Sequence, residues 1–182
     1  THPDRSEGGR RGEGRGRGRG WCGDVLPALR DASPDGLTRL VRKLVASLER
    51  DADVAASVPG FHLEGPFISP QDGARGAHPL AHVRGVSRKL WREWQRAADG
   101  RIALVTVAPE AEGAITFIRQ LRAENVLPAL GHTMADAETI FRAGEAGALM
   151  TTHLGNGCPQ LRHRHSHTVP AQLSEDSLDA GV

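Results

Sequence analysis

Three short apolar runs in this sequence each end in a residue able to bind a metal ion. Phe61-His62-Leu63-Glu64-Gly65-Pro66 delivers a carboxylate, and Gly131-His132-Thr133 and Thr152-His153-Leu154 each deliver an imidazole. Glu64, His132 and His153 together make the donor set of a catalytic divalent ion: three protein ligands drawn from His and Asp/Glu, with one position left open. Water on such an ion has its pKa lowered toward neutrality, and the same ion polarises a carbonyl oxygen. The chemistry favoured is hydrolysis of an amide or ester. Taken singly the residues are weaker signals. A His at a strand end is often only a hydrogen-bonded polar group, and a Glu before Gly-Pro is often structural.

The elements that must position these residues alternate along the chain. Residues 21–51 carry a helical pattern, in which Leu37, Leu40, Val41, Leu44, Val45 and Leu48 form one apolar stripe with Arg39, Arg42, Lys43 and Glu49 outside it. Ser33-Pro34 supplies an N-cap and a proline at the first helical position. Strands are expected over 58–63, 101–108, 126–130 and 148–152, with helices over 87–98, 110–125 and 135–146, the last capped by Thr133. Residues 66–84 form a long Gly-, Pro- and His-rich loop, a length that is usually functional or disordered. Trp91 and Trp94, at i and i+3, are expected in the core. Strands alternating with helices of this length give βαβ units on a parallel sheet, an α/β fold. The alternation alone does not decide between a barrel and an open sheet. No Gly-x-Gly-x-x-Gly follows a strand, so no dinucleotide site is expected.

The 182 residues suffice for one domain with a real core. Net charge is +1, which points to no nucleic-acid or membrane partner. No apolar run is long enough to span a bilayer and no signal peptide is recognisable. Two cysteines, Cys22 and Cys158, make no disulfide framework, so a cytoplasmic setting is expected. Residues 1–20 stand apart: six arginines, three acids and almost no apolar side chain. Such a segment cannot bury surface and is expected to be disordered, leaving residues 21–182 as the domain. The competing reading from another class is an Arg-Gly nucleic-acid-binding tail. Acids among the arginines, and no aromatic side chains between them, weigh against it.

The motifs His62-Leu63-Glu64-Gly65-Pro66-Phe67, Gly76-Ala77-His78-Pro79, Val107-Ala108-Pro109-Glu110, Gly131-His132-Thr133 and Thr152-His153-Leu154-Gly155-Asn156-Gly157 come in an order and spacing that resembles the N-acetylglucosamine-6-phosphate deacetylases of the amidohydrolase superfamily. The resemblance runs over residues 59–157. It implies part of a TIM-type (β/α) barrel of about four βα units, and hydrolysis of the acetamide of N-acetylglucosamine 6-phosphate to glucosamine 6-phosphate and acetate. By the same resemblance Glu64, His132 and His153 are the metal ligands. Ala77 and His78 match a stretch that touches the sugar, and Asn156 and Gly157 match a substrate contact. Arg164 corresponds to an arginine reaching the phosphate, in some members that of a neighbouring subunit, so a homodimer is implied for the full-length enzyme. The ion expected is zinc, with iron, manganese or cobalt as alternatives, and the partner is a small amino-sugar phosphate.

Three departures qualify the resemblance. Gly155-Asn156-Gly157-Cys158-Pro159 replaces a more usual aromatic-Asn-Ala-Met-Pro, which leaves open a different N-acyl sugar or a cyclic amide. The loop 160–169 differs as well. A His-x-His of the first strand and a late aspartate acting on the water and leaving amine have no match, since neither Asp176 nor Asp179 is expected after a matching strand. Both methionines, Met134 and Met150, are internal, and Gly181-Val182 stand where a strand is expected to begin. The chain therefore reads as a fragment open at both ends, inactive by itself.

Other residues carry weaker chemistry. His163, His165 and His167 alternate and in an extended segment could share a side, but Arg162 and Arg164 between them repel a cation, and a solvated loop is the expectation. Cys158 is expected to be a small buried thiol rather than a nucleophile. Glu110 suits either a partner of a ligating imidazole or a carboxylate at a helix start.

Overall fold

The computed structural model describes residues 24–159, 161, 163, 164 and 166–181. The Gly/Arg-rich segment 1–20, Cys22, Arg162 and His165 lie outside the described residues.

Six strands form one sheet: β1 (Ala28–Leu29), β2 (Phe61–Glu64), β3 (Ile102–Val107), β4 (Leu127–Leu130), β5 (Met150–Thr151) and β6 (Asp179–Ala180). Their spatial order is their chain order, and every neighbouring pair is parallel. A doubly wound sheet reverses its strand order at a switch point, whereas a barrel wall never does. This α/β sheet follows the barrel rule and forms part of a TIM-type wall.

Between the strands lie α1 (Pro34–Leu48), α2 (Ala52–Ser57), α3 (Arg88–Ala97), α4 (Ala114–Ala123), α5 (Ala137–Glu145) and α6 (Thr168–Leu173). Ser33 caps α1 as its sequence predicts, its hydroxyl accepting from the Gly36 amide, with Pro34 at the first helical position. Ser87 caps α3 in the same way through Leu90. One face of the sheet packs on these helices. Phe61 and Leu63 of β2, and Val105 and Val107 of β3, join Leu37 and Val41 of α1 and Trp91 and Trp94 of α3 in one core. Strand alternation then sends His62 and Glu64 to the opposite face, where a barrel builds its site.

The sheet has two strands more than the sequence pattern indicates. β1 lies within the stretch expected to be helical, and β6 follows the loop after α6. Each has only two residues, too few to show a period of two. Two helix starts are also corrected. α5 is capped by Asp136, whose carboxylate accepts from the Thr139 amide, rather than by Thr133. α4 begins at Ala114, behind Gly113 with φ 76°, so Glu110 does not open that helix.

Candidate metal centre at the strand ends

Glu64 is the last residue of β2, and His132 and His153 each lie two residues beyond the ends of β4 and β5. The sheet brings all three together. Oε1 of Glu64 stands 3.0 Å from Nε2 of His132 and 3.0 Å from Nε2 of His153. Glu64 and His132 are buried, and His153 is partly exposed. Both histidines leave their strands with left-handed backbone, φ 51° at His132 and 34° at His153. Such values cost a β-carbon-bearing residue energy and persist where surrounding structure enforces them, commonly at functional sites.

Glycines clear the space for the His132 ring. A β-carbon on Gly157 would lie 2.7 Å from its Nδ1, and one on Gly76 would lie 3.3 Å from its Cε1. Below the cluster, His62 Nε2 and Thr106 Oγ1 are 2.7 Å apart, and Thr106 Oγ1 and Thr152 Oγ1 are 2.7 Å apart. Burial holds the His62 imidazolium below its ordinary pKa.

His78 joins the same cluster. It is buried, and its Nε2 lies 3.3 Å from Nε2 of His132 and 3.7 Å from Oε1 of Glu64. The loop that carries it is fastened to the end of β4. The Ser69 amide donates to the His132 carbonyl at 2.9 Å, and the Ala74 carbonyl lies 2.9 Å from Nδ1 of His132. Within residues 66–84, Ser69, Ala74 and His78 are thus buried against the site, while much of the rest is exposed.

The Glu64 carboxyl is held far below the usual carboxylate range. Hydrogen bonding from His132 is the largest cause, followed by His78, with burial opposing and His153 adding to the shift. Glu64 is therefore an anion with three ring nitrogens facing one of its oxygens.

Among the described residues Glu64, His78 and His132 bring one ligand atom each within 4.8 Å of one another and could hold a divalent ion, and His153 meets this group through Glu64. A tetrahedral ion bonded at about 2.0–2.1 Å sets its ligand atoms roughly 3.3–3.4 Å apart. The contacts of Glu64 Oε1 and the His132–His78 pair, at 3.0, 3.0, 3.3 and 3.7 Å, bracket that edge. The outer nitrogen of His132 lies beside the Ala74 carbonyl, which can only accept, so Nδ1 donates to it. Metal-binding histidines are commonly oriented this way. His153 is less complete: its Nδ1 is buried with no partner among the described protein groups.

The remaining candidates surround this cluster unequally. Gly157 packs on His132. Ala77, Asn156 and Arg164 are exposed, and the Asn156 side-chain oxygen accepts from the Gly157 amide at 3.0 Å. Glu110 touches no imidazole. It accepts from the Thr133 hydroxyl at 2.5 Å and the Met134 amide at 2.7 Å, and so clamps the segment just after His132. Cys158 is partly buried and its thiol donates to the Gly155 carbonyl. His167 caps α6 and His163 is exposed, its Nδ1 accepting from the Ser166 amide.

Sequence reasoning missed two site residues, Arg30 and Asp31, just after β1. Asp31 Oδ1 lies 2.9 Å from His78 Nδ1, and Arg30 Nη1 lies 3.9 Å from Glu64 Oε2. A cavity beside Glu64 is lined by both, with Pro66, His78, Pro79 and His82. The usable signal was a charged pair between a short apolar dipeptide and the Ser33-Pro34 cap.

No protein-family model matches the chain. Over 130 residues it is 37% identical to the N-acetylglucosamine-6-phosphate deacetylase of Bacillus subtilis, a match covering 71% of this chain and 32% of that protein. Over 123 residues it is 38% identical to the N-acetylgalactosamine-6-phosphate deacetylase of a Shewanella species, covering 68% of this chain and 30% of that one. Its structure matches that of the Mycobacterium smegmatis N-acetyl-D-glucosamine-6-phosphate deacetylase in complex with N-acetyl-D-glucosamine-6-phosphate. The TM-score is 0.76 at 30% identity, over 86% of this chain and 39% of that one. The Thermotoga maritima N-acetylglucosamine-6-phosphate deacetylase gives a TM-score of 0.72 at 27% identity, over 86% of this chain and 41% of that one. The chain spans about a third of the length of the curated relatives it matches.

Proposed function

Because this chain belongs to the family that includes the N-acetylglucosamine- and N-acetylgalactosamine-6-phosphate deacetylases, we propose that it carries the metal site and part of the sugar pocket of such an enzyme. The reaction is hydrolysis of the acetamide of N-acetylglucosamine 6-phosphate: the C–N bond breaks, water supplies the new C–O bond, and acetate and the free amine leave. The observation that carries the reading is the convergence of His132 Nε2 and His153 Nε2 on one oxygen of an ionised Glu64.

Glu64, His132 and His153 would hold the ion. Zinc suits a set of imidazole nitrogens and one carboxylate oxygen without thiolate. Such an ion supplies Lewis acidity toward a carbonyl oxygen and acidifies bound water. The chain's own groups supply the positioning. The Ala74 carbonyl fixes the His132 ring, Glu110 clamps the turn behind it, and Gly157 leaves the ring its space. By the resemblance, Ala77, Asn156 and Gly157 would line the approach of the sugar and Arg164 would reach its phosphate, where a homodimer would bring a second subunit near. A reducing cytoplasm accords with a free thiol at Cys158. A different N-acyl amino-sugar phosphate is the second reading, since one relative is named for the galactosamine substrate.

The test is a chimera in which residues 24–181 replace the matching third of the Bacillus subtilis relative. Acetate release is measured from both N-acetylated sugar phosphates. The expected result is zinc-dependent release from the glucosamine compound, abolished by chelation and by Glu64→Gln. A folded, zinc-loaded chimera that hydrolyses neither sugar contradicts the reading.

A further inference from the structure

The turn Gly155-Asn156-Gly157 departs from the motif it resembles by placing glycine, not alanine, after the asparagine. Asn156 is exposed, and its side-chain oxygen accepts from the Gly157 amide at 3.0 Å. The Gly157 nitrogen therefore stands against the Asn156 side-chain carbon, which lies one C=O bond of about 1.2 Å behind that oxygen. No β-carbon shields this nitrogen. Both flanking glycines have left-handed backbone, φ 82° at Gly155 and 59° at Gly157, and the space beside Gly155 is open. Such backbone freedom lets the turn rotate until the nitrogen and the side-chain carbon meet in a five-membered ring. The other asparagine of the chain gives the contrast. Asn125 precedes Val126, which is β-branched and buried, and the Val126 amide donates to the Leu121 carbonyl at 2.9 Å. That nitrogen is both engaged and shielded.

We propose that Asn156 is a site of spontaneous modification in the folded chain. The Gly157 nitrogen attacks Cγ of Asn156 and a new N–C bond closes an imide ring. The side-chain NH2 leaves as ammonia, taking the proton of the attacking nitrogen. Water then opens the ring. Opening at the side-chain carbonyl gives aspartate on a normal main chain. Opening at the main-chain carbonyl gives isoaspartate, with the main chain running through Cγ. One water is consumed, one ammonia is released, and the turn gains a carboxylate that is ionised at neutral pH. No metal and no oxidant takes part, so the proposal stands apart from the metal reading. The fold has little room for the isoaspartate product. A β-carbon on Gly157 would already lie 2.7 Å from His132 Nδ1, and one on Gly76 would lie 4.0 Å from the Gly157 α-carbon. A main chain longer by one carbon shifts Gly157 within this confined place and strains the turn.

The purified 182-residue chain is aged in mildly alkaline buffer at physiological temperature, once folded and once in urea. Peptide mapping by mass spectrometry, with detection of isoaspartate, then reads each asparagine. In the folded chain Asn156 should convert to a mixture of aspartate and isoaspartate while Asn125 keeps its amide. Asn156→Gln, whose ring would need six members, should stay unmodified under the same conditions. The separated isoaspartate form should unfold at lower urea than Asn156→Asp, which carries the same charge on a normal main chain. An Asn156 that reacts in urea but keeps its amide in the folded chain overturns the proposal, and so does conversion of Asn125 at the same rate. An isoaspartate form as stable as Asn156→Asp overturns the strain assigned to the turn.

Discussion

The two halves of the sheet are built differently, and the candidate metal centre straddles them. Around β2 and β3, strands of four and six residues pack on a core holding Trp91, Trp94, Phe67 and Phe117, with Phe67 and Phe117 edge-on at 5.5 Å. Around β5 and β6, strands of two residues pack on a separate core of Ile118, Leu130, Ile140 and five alanines. Thr151 Oγ1, His153 Nδ1 and Thr168 Oγ1 are buried there without a partner among the described protein groups. Glu64 thus stands on the dense half and His153 on the thin one, with His132 between them just beyond β4. The carboxylate is held by imidazoles from both halves, whereas the last imidazole keeps one ring nitrogen without a partner among the described protein groups.

That contrast predicts unequal responses to mutation. The largest loss should follow Trp94→Ala, at about 3–5 kcal/mol by urea denaturation, because a fully buried ring and its surrounding contacts are removed. A loss under about 1 kcal/mol would show that the aromatic core is not the stronger half. In the thin half the informative change is an addition. Ala143 is fully buried on α5, and Ala143→Leu should cost about 1–3 kcal/mol if the alanine core is closely packed. A neutral result would show slack in the region that carries His153.

Gly157→Ala addresses the boundary. Its backbone is left-handed, φ 59°, and the added carbon would lie 2.7 Å from His132 Nδ1. The expected stability loss is about 1–2 kcal/mol from backbone strain, with zinc affinity falling because the ring is displaced. Unchanged affinity would mean that His132 moves aside without leaving its ligand position.

The smallest effects are those of pH, and two residues of β2 should differ. Burial depresses the folded pKa of His62 below its unfolded value of about 6.5, so the unfolded state binds more protons as pH falls. Stability should decline below about pH 6.5, and His62→Gln should flatten that decline in urea midpoints. Hydrogen bonds depress Glu64 from an unfolded value of about 4.3, so its contribution is complete above that pH and persists until strong acid. A wild-type advantage over Glu64→Gln that vanished already at pH 5 would contradict this.

Much of the dense half was legible in the sequence, because its elements are long enough to show their periods. The α1 stripe, the Ser33-Pro34 cap and the buried tryptophans all appear where the pattern predicts. β1 and β6 were not legible, since a two-residue strand has no period and gains its identity only from the register Ala28↔His62 or Met150↔Asp179. Glu64, His132 and His153 were readable as ligand types at strand ends. The convergence of His78 was not, because it depends on the folding of residues 66–84 against His132. Asp31 and Arg30 stayed hidden for the same reason: their partners His78 and Glu64 lie 47 and 34 positions away in sequence. Glu110 shows the limit of local rules, since its carboxylate serves a turn 23 residues on rather than its own helix.

Glu64, His132 and His153 are proposed to hold one divalent ion, and metal analysis of the purified 182-residue chain decides the point. About one equivalent of zinc is expected in the wild type after loading and dialysis, and a small fraction of that in His132→Ala and in His153→Ala. Losing a ligand should exceed the about 10–100-fold loss of affinity that follows removal of an outer partner. Equal zinc in the wild type and both variants would contradict the assignment and leave the convergence of imidazoles on Glu64 a hydrogen-bonded cluster without a metal.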